Sequence, residues 1–306
     1  MKACAPGKLV LSGAYSVLEG APAIVSAVDR YVCSDSAHRA EFVTAEVRAA
    51  LSPEAAPSFD ASALRAADRK LGLGSSAAIL VASLAAVDTR YFETEHALQQ
   101  AIWEPAFKAH RQAQGGGSGV DVAASTWGGT LIARRSAEHD LQLEPAQLPA
   151  DLVVEAWASQ VAASTPELLR AVAHLRDRDP VAHRSLLDRL GAAAERAADA
   201  LRRAQTADLI AELSAQRAGF EALGKAAGVH IVTPEAARLA QSAPADAAVL
   251  PSGAGGGDIV LWCSNRPSPS MFRELARELG HQLLPLRLHA RGVHRCSLES
   301  TPARGS

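Results

Sequence analysis

The chain has 306 residues, and 48% of them are hydrophobic, which is enough for one large or two modest domains with a packed core. Its formal net charge is -2 and it contains no basic block, which argues against a nucleic-acid partner and against a membrane surface. The expected partner is therefore a small molecule, bound by a monomer or a homodimer.

The first residues and the cysteines indicate the compartment. Residues 1–30 contain charges at Lys2, Lys8 and Glu19, with no membrane-spanning apolar run and no signal-peptide layout, so we expect a cytoplasmic protein. No CxxC spacing and no Cys/His metal pattern is present. We therefore expect free, mostly buried thiols at Cys4, Cys33, Cys263 and Cys296.

The first elements in chain order are strands. Residues 8–11 and 23–32 have the composition of β-strands, and residues 12–14 turn the chain between them. Residues 41–46 are predicted to form another strand. The segment 52–66 contains two prolines and is predicted to be a connection with a short helix at most.

The stretch 70–78, KLGLGSSAA, has the properties of an anion-binding loop. Gly72 and Gly74 allow backbone amides to approach an anion, and Ser75 and Ser76 add hydroxyls where a helix begins. Helical spacing follows in the apolar residues Ile79, Leu80, Val81, Leu84 and Val87. Because a helix N-terminus has partial positive charge, the stretch predicts a place for a phosphate chain.

This stretch matches neither of the two common nucleotide loops. A Walker loop has a lysine after its last glycine, whereas Lys70 precedes the glycines here. The third glycine of a dinucleotide fingerprint is also missing. Taken alone, the string favours a phosphate loop and leaves a tight turn with a serine cap as the alternative.

A second glycine cluster, QGGGSGVD at 114–121, follows a predicted helix at 93–114. So many glycines exclude a packed element, which predicts a loop pressed against something else, with Asp121 as its one charge. A short helix at 122–126 and a strand at 130–133 are expected next.

The pattern changes near residue 150, where we place a boundary between domains at 1–150 and 151–306. A strand at 153–158, a helix from Thr165, two long scaffold helices within 180–228 and a helix from Thr233 are predicted. A third glycine-rich loop, PSGAGGGD at 251–258, joins predicted strands at 247–250 and 259–263; a helix at 271–279 and a strand near 283–289 follow. The fold class is therefore α+β, with one sheet covered by helices.

Three motifs in this order, APGKLVLSGAYSVLEG at 5–20, KLGLGSSAA at 70–78 and PSGAGGGD at 251–258, resemble the motifs of the GHMP kinases. The resemblance implies an N-terminal domain like ribosomal protein S5 domain 2 and a ferredoxin-like C-terminal domain, with ATP, Mg²⁺ and substrate between them. Within this superfamily AHRQAQGGGSGVDVAAS at 109–125 and GVHIVTPEAARLA at 228–240 are most similar to phosphomevalonate kinases, while STWGG at 125–129 is also similar to mevalonate kinases.

The resemblance implies roles for individual residues. Lys8 would stabilise the transferring phosphoryl group, and Asp121 would act as base or orienting carboxylate. Their alternatives are a surface lysine and a helix N-cap. The ATP phosphates would be held by Gly72, Leu73, Gly74, Ser75, Ser76 and Ala77, with Ser76 also contacting Mg²⁺.

Further residues are candidates for binding an acidic substrate. Cations and loop residues in this group are Lys70, His110, Arg111, Ser118, Gly119, Ser252, Gly253, Ala254, Gly255 and Asp258. His110 has the alternative of a helix-surface histidine. Ser164 and Thr165 either bind substrate or cap a helix.

Two positions depart from the family pattern. Many relatives have Glu where this chain has Ala14, and mevalonate kinases have a metal-binding Glu where it has His110. The predicted activity is phosphoryl transfer from ATP to phosphomevalonate, with mevalonate kinase or another alcohol kinase as the alternative. Because of the two lost carboxylates, a catalytically silent ligand-binding homologue also stays open.

Overall fold

A computed structural model describes residues 1–66, 69–136, 140–160 and 164–296. The two predicted N-terminal strands are confirmed as β1 (Lys2–Ser12) and β2 (Pro22–Arg39), an antiparallel pair. A short 3-10 turn at Ser16–Glu19 joins them. Nearly all of β1 is buried, which agrees with the continuous apolar run around its motif.

The predicted strand at 41–46 is wrong. The Thr44 side chain accepts a hydrogen bond from the Val47 amide and caps α1 (Ala45–Ala50). Helix-forming alanines and this cap outweigh the β-branched residues before it. The next segment adds β3 (Pro57–Asp60) beside β2, followed by the two-residue strands β4 (Arg65–Ala66) and β5 (Arg69–Lys70).

Three helices then cover one face of the first sheet: α2 (Ser75–Val87), α3 (Glu95–Gln114) and α4 (Val120–Trp127). The chain returns to the sheet as β6 (Thr130–Arg135) and β7 (Leu141–Ala146), giving the order β12-β1-β2-β6-β7 with β3 also paired to β2. Strand β12 (His294–Cys296) comes from the other end of the chain.

The second sheet is antiparallel, with the order β11-β8-β10-β9. Its strands are β8 (Val153–Ala158), β9 (Ala247–Pro251), β10 (Ile259–Ser264) and β11 (Gln282–Leu284). Its helices are α5 (Thr165–Arg178), α6 (Pro180–Arg202), α7 (Thr206–Ala227), α8 (Pro234–Ser242) and α9 (Ser270–Glu278). The α+β class is confirmed, and within the described ranges none of the helices has the length and apolarity to cross a bilayer.

The hydrophobic core is continuous between the two sheets. One cluster of buried residues includes Ala3 and Leu80 from the first half together with Leu213 and Leu250 from the second. The return of β12 to β1 adds a backbone connection between the ends of the chain. Side chains at the junction are therefore held by packing on both sides, which suits a site built from both halves.

The prediction of four free thiols is wrong for two of them. Cys4 and Cys33 form a disulfide between directly opposite positions of β1 and β2. A separation of 29 residues hides this register in the sequence. Cys263 is free and buried, and burial raises its thiol pKa to about 12; Cys296 is also free, with its Sγ 2.7 Å from the Cys4 Sγ.

Two glycines with positive φ differ in how closely other backbone atoms pack against them. Gly128 ends α4 with φ 70° and ψ -163°, and a Cβ there would lie 2.2 Å from the Gly292 amide nitrogen. Gly115 ends α3 with φ 65° and ψ 28°, and a Cβ there would meet nothing within 4 Å. The two positions therefore differ in the space available and in the backbone region they occupy.

We expect Gly128→Ala to lower the free energy of unfolding by more than about 3 kcal/mol, because the backbone of the 290–292 segment must move. Gly115→Ala should cost about 1 kcal/mol, the cost of left-handed backbone for a residue with a Cβ. Chemical denaturation of both variants and the parent chain measures this. Equal losses in the two variants would contradict the packing of β12 described above.

Candidate active site

Lys8 is a buried cation at the centre of the site. Only 9% of the residue is exposed, so its alternative as a surface lysine is wrong. Its amide donates to the Leu73 carbonyl at 2.9 Å, and its Nζ donates to the Gly72 carbonyl at 3.3 Å. Among the described residues, no carboxylate lies within ion-pair distance of this ammonium group.

Gly74 makes this arrangement possible. It has φ 77°, and a Cβ there would lie 2.9 Å from both Cγ and Cε of Lys8. The lysine stem therefore lies directly on the loop that begins α2. An ammonium group that is buried without a counter-ion is costly, and an anion bound beside it removes that cost.

The N-terminus of α2 lies next to this lysine. Gly72 has φ 72°, and Gly74 is the residue before the helix, so the amides of the first turn have no side-chain cap. Ser75 is buried and Ser76 is half-buried in that first turn. Uncapped amides, the helix dipole and the Lys8 ammonium together favour a bound anion here.

Asp121 lies in the first turn of α4, and the N-cap of that helix is Gly119. Its alternative as a helix N-cap is therefore wrong. Its carboxylate Oδ1 lies 3.8 Å from Nε2 of His110, which comes from α3. His110 is 1% exposed, so a helix-surface role for it is also wrong, and neither of its ring nitrogens has a hydrogen-bond partner among the described residues.

One cavity of 390 Å³ brings many of the predicted residues together. Its lining includes Lys8, His110, Ser118, Asp121, Gly253 and Ala254. Thr165 also lines it, whereas Ser164 is the N-cap of α5 without a side-chain bond. A wider concavity of 690 Å³ follows the exposed start of α6 and contains none of the predicted residues.

Several predicted substrate residues lie outside this lining. Lys70 is exposed on β5, and the Arg111 guanidinium lies 5.6 Å from the ring centroid of Phe107. Gly119 packs against the same phenyl ring, because a Cβ there would lie 2.3 Å from Phe107 Cε2. The cavity does not bring these three residues to Lys8.

The remaining predicted residues, in the third glycine-rich loop, contact β1 and the loop before α2. Ser252 Oγ accepts from the Val10 amide and donates to the Val10 carbonyl, both at 3.1 Å. A Cβ on Gly255 would lie 2.2 Å from the Ile231 carbonyl, and Asp258 packs against Gly72 in the same way. These residues fix the third glycine loop against the first strand and the α2 loop.

Two residues that the sequence did not predict connect the halves. Gln216 on α7 accepts from Ser12 Oγ at 3.0 Å and from the Gly13 amide at 2.8 Å. Tyr15 donates to the Ala254 carbonyl at 2.6 Å, and burial raises the pKa of this phenol. The sequence does contain a signal for Gln216. It is a glutamine within the run of apolar residues at helical spacing, between Leu213 and Phe220.

Two basic residues of the cavity were also missed. Arg176 on α5 and His183 on α6 line it, although α6 was predicted only as a scaffold helix. His183 is only 8% exposed. With Lys8 and His110, they face a lining whose carboxylates are Glu19 and Asp121. The lining thus offers cations as well as carboxylates to a bound molecule.

Comparisons with known proteins agree with this arrangement. Residues 42–129 match the family described as GHMP kinases N terminal domain. The chain is 28% identical over 301 residues to the mevalonate kinase of Archaeoglobus fulgidus, covering 91% of this chain and 98% of that protein. It is 27% identical over 329 residues to the phosphomevalonate kinase of Streptomyces sp. (strain CL190), covering 83% and 87%.

The fold is shared with a solved phosphomevalonate kinase of Streptococcus pneumoniae in complex with phosphomevalonate and AMPPNP. The TM-score is 0.74 at 17% identity, with 94% of this chain and 99% of that chain covered. The resemblance to the GHMP kinases that the three sequence motifs predicted is therefore confirmed, with residues 42–129 matching the N-terminal domain of that family.

Proposed function

We propose that the chain is an ATP-dependent small-molecule kinase of the mevalonate pathway, and that its acceptor is phosphomevalonate. The observation that carries the proposal is the buried Lys8 ammonium, which lies on the carbonyl of Gly72 with no described carboxylate partner. A phosphoryl group transferred at this point would supply the missing negative charge. Phosphoryl transfer depends mainly on positioning and on such neutralisation.

In this proposal, different residues bind the nucleotide, the transferred phosphoryl group and the acceptor. The first-turn amides of α2 and the hydroxyls of Ser75 and Ser76 hold the phosphate chain of ATP. Lys8 holds the oxygens of the group being transferred. Asp121 faces the acceptor from the other side of the cavity, where it orients the attacking oxygen or accepts its proton.

Magnesium fits this site through oxygen ligands. Ser76 is half-buried in the first turn of α2, and its hydroxyl is the kind of donor that Mg²⁺ accepts along with nucleotide phosphates and water. The ion would neutralise charge on the nucleotide phosphates. His110 offers nitrogen, which Mg²⁺ does not prefer, so we assign it to Asp121 and not to the metal.

The basic side of the cavity favours phosphomevalonate over mevalonate. Lys8, His110, Arg176 and His183 all line it, and a phosphorylated acid offers two anionic ends. A phosphate monoester is mostly dianionic at neutral pH, so it attacks without losing a proton to a base. That reduces the need for a base, so Asp121 would mainly orient the attacking oxygen.

We infer that the division at 1–150 and 151–306 corresponds to the S5-like and ferredoxin-like domains. The support is that β7, an edge strand of the first sheet, ends before residue 150, and that the strands of the second sheet, in the antiparallel order β11-β8-β10-β9, all follow it, while β12 returns to the first sheet. A cytoplasmic location is also part of the proposal. The Cys4–Cys33 bond, of a kind that persists in oxidising compartments, weighs against it.

We expect Asp121→Asn to reduce kcat by more than about tenfold, because the carboxylate that orients the attacking oxygen is lost. Asp208→Asn is the matched control, since Asp208 also lies in the first turn of a helix and is exposed on α7. ADP release measured with a coupled assay gives kcat for both. Near-normal turnover of Asp121→Asn would exclude its role as base.

We expect Lys8→Met to reduce kcat by about a hundredfold or more while the fold is kept, because the charge at the transferring group is lost. The control is Lys225→Met, which removes an exposed lysine of α7. Turnover is compared at saturating ATP, and thermal unfolding checks the fold. A Lys8→Met protein that is folded and fully active would refute the observation on which the proposal rests.

Phosphomevalonate should be phosphorylated with a kcat/KM at least about tenfold above that for mevalonate, because it offers one more charge to the basic lining. The two acceptors are compared in parallel by ADP release. A preference for mevalonate would establish the alternative kinase. Saturable ATP binding without ADP release on either acceptor would indicate the silent homologue.

A further inference from the structure

A second cavity, of 410 Å³, lies where the β4–β5 hairpin meets the second sheet. Its lining combines Arg69 from β5, Arg273 and Arg277 from α9, and Trp157 from β8. It shares no lining residue with the Lys8 cavity. The mechanism described above uses none of these side chains.

The charges of this cavity are one-sided. No carboxylate is among its lining residues. Arg273 is paired with Glu155 at 2.8 Å, and Arg69 donates to the carbonyl of Ser159. Within the described parts of the chain, Arg277 has no carboxylate at ion-pair distance. Arg69 and Arg277 line the same cavity without a carboxylate beside them in its lining, and an anion bound there would offset both charges.

Two buried donors in the same lining also lack partners. Trp157 is 1% exposed and its Nε1, which can only donate, has no hydrogen-bond partner among the described residues. His281 is 3% exposed, and its ring lies near the Leu279 backbone without making a hydrogen bond of good geometry to any described residue. Burial lowers the pKa of His281, so its imidazole is neutral at neutral pH and offers one N–H.

We propose that this cavity binds a small oxyanion of the phosphate or diphosphate class. Arginines and N–H donors without a lining acid are the groups that recognise phosphate oxygens. The bound ion would connect α9 to the hairpin through Arg277 and Arg69.

The test uses inorganic diphosphate and isothermal titration calorimetry on the full chain. The Lys8→Met background weakens binding at the α2 loop, so it separates the two sites. In this background we expect saturable binding that Arg277→Glu weakens about tenfold or more, the loss typical of a hydrogen bond between charged groups. Arg203→Glu, an exposed arginine at the end of α6, should leave the affinity unchanged.

Trp157→Phe provides a second variant that keeps an aromatic ring and removes only the N–H. It should weaken diphosphate binding while the melting temperature of the free protein stays close to that of the parent. Equal losses in Arg277→Glu and Arg203→Glu would show non-specific attraction and overturn the proposal. So would binding that Lys8→Met abolishes.

Enzyme kinetics distinguish this site from a part of the nucleotide site. In the protein with an intact Lys8, Arg277→Glu should leave the KM for ATP within about twofold of the parent value. A KM for ATP that rises in parallel with the loss of diphosphate affinity would assign the cavity to ATP and overturn the proposal. Failure of the kinase assay itself would leave the calorimetric result unaffected.

Discussion

The close approach of β1 to the loop before α2 is the constraint on which the rest of the site depends. The Lys8 amide bonds the Leu73 carbonyl at 2.9 Å, and a Cβ on Gly7 would lie 2.7 Å from Leu64 Cδ2 and 2.8 Å from that same carbonyl. A side chain at Gly7 would therefore push the strand off the loop. With the strand in place, the lysine stem lies across Gly74, beside the uncapped first-turn amides of α2.

The second half of the chain fixes this strand from the opposite side. Gln216 bonds the end of β1, Ser252 bonds the middle of it, and Tyr15 reaches Ala254 in the third glycine loop. Each contact joins residues more than 200 positions apart in sequence. The cavity is therefore a product of docking between the two sheets, and its basic residues Arg176 and His183 come from helices of the second half.

The sequence predicted the parts of the site that depend on local chemistry. Glycine-rich loops, the Lys8 motif and Asp121 were identifiable because their residue types are unusual and their order is that of a family. It could not predict contacts set by docking: Cys4 opposite Cys33, Gln216 on Gly13, or the position of Lys70 outside the cavity. The strand predicted at 41–46 failed for a local reason, since Thr44 as a helix cap outweighed the β-forming residues near it.

The central claim is that the buried ammonium of Lys8 and the start of α2 hold the phosphoryl group that is transferred. A crystal structure of the full chain with AMPPNP and magnesium tests it most directly. We predict that the γ-phosphate lies within hydrogen-bond distance of Lys8 Nζ and of the first amides of α2, with Asp121 facing it across the cavity. A nucleotide bound with its phosphates away from Lys8, in an otherwise unchanged fold, would contradict the account.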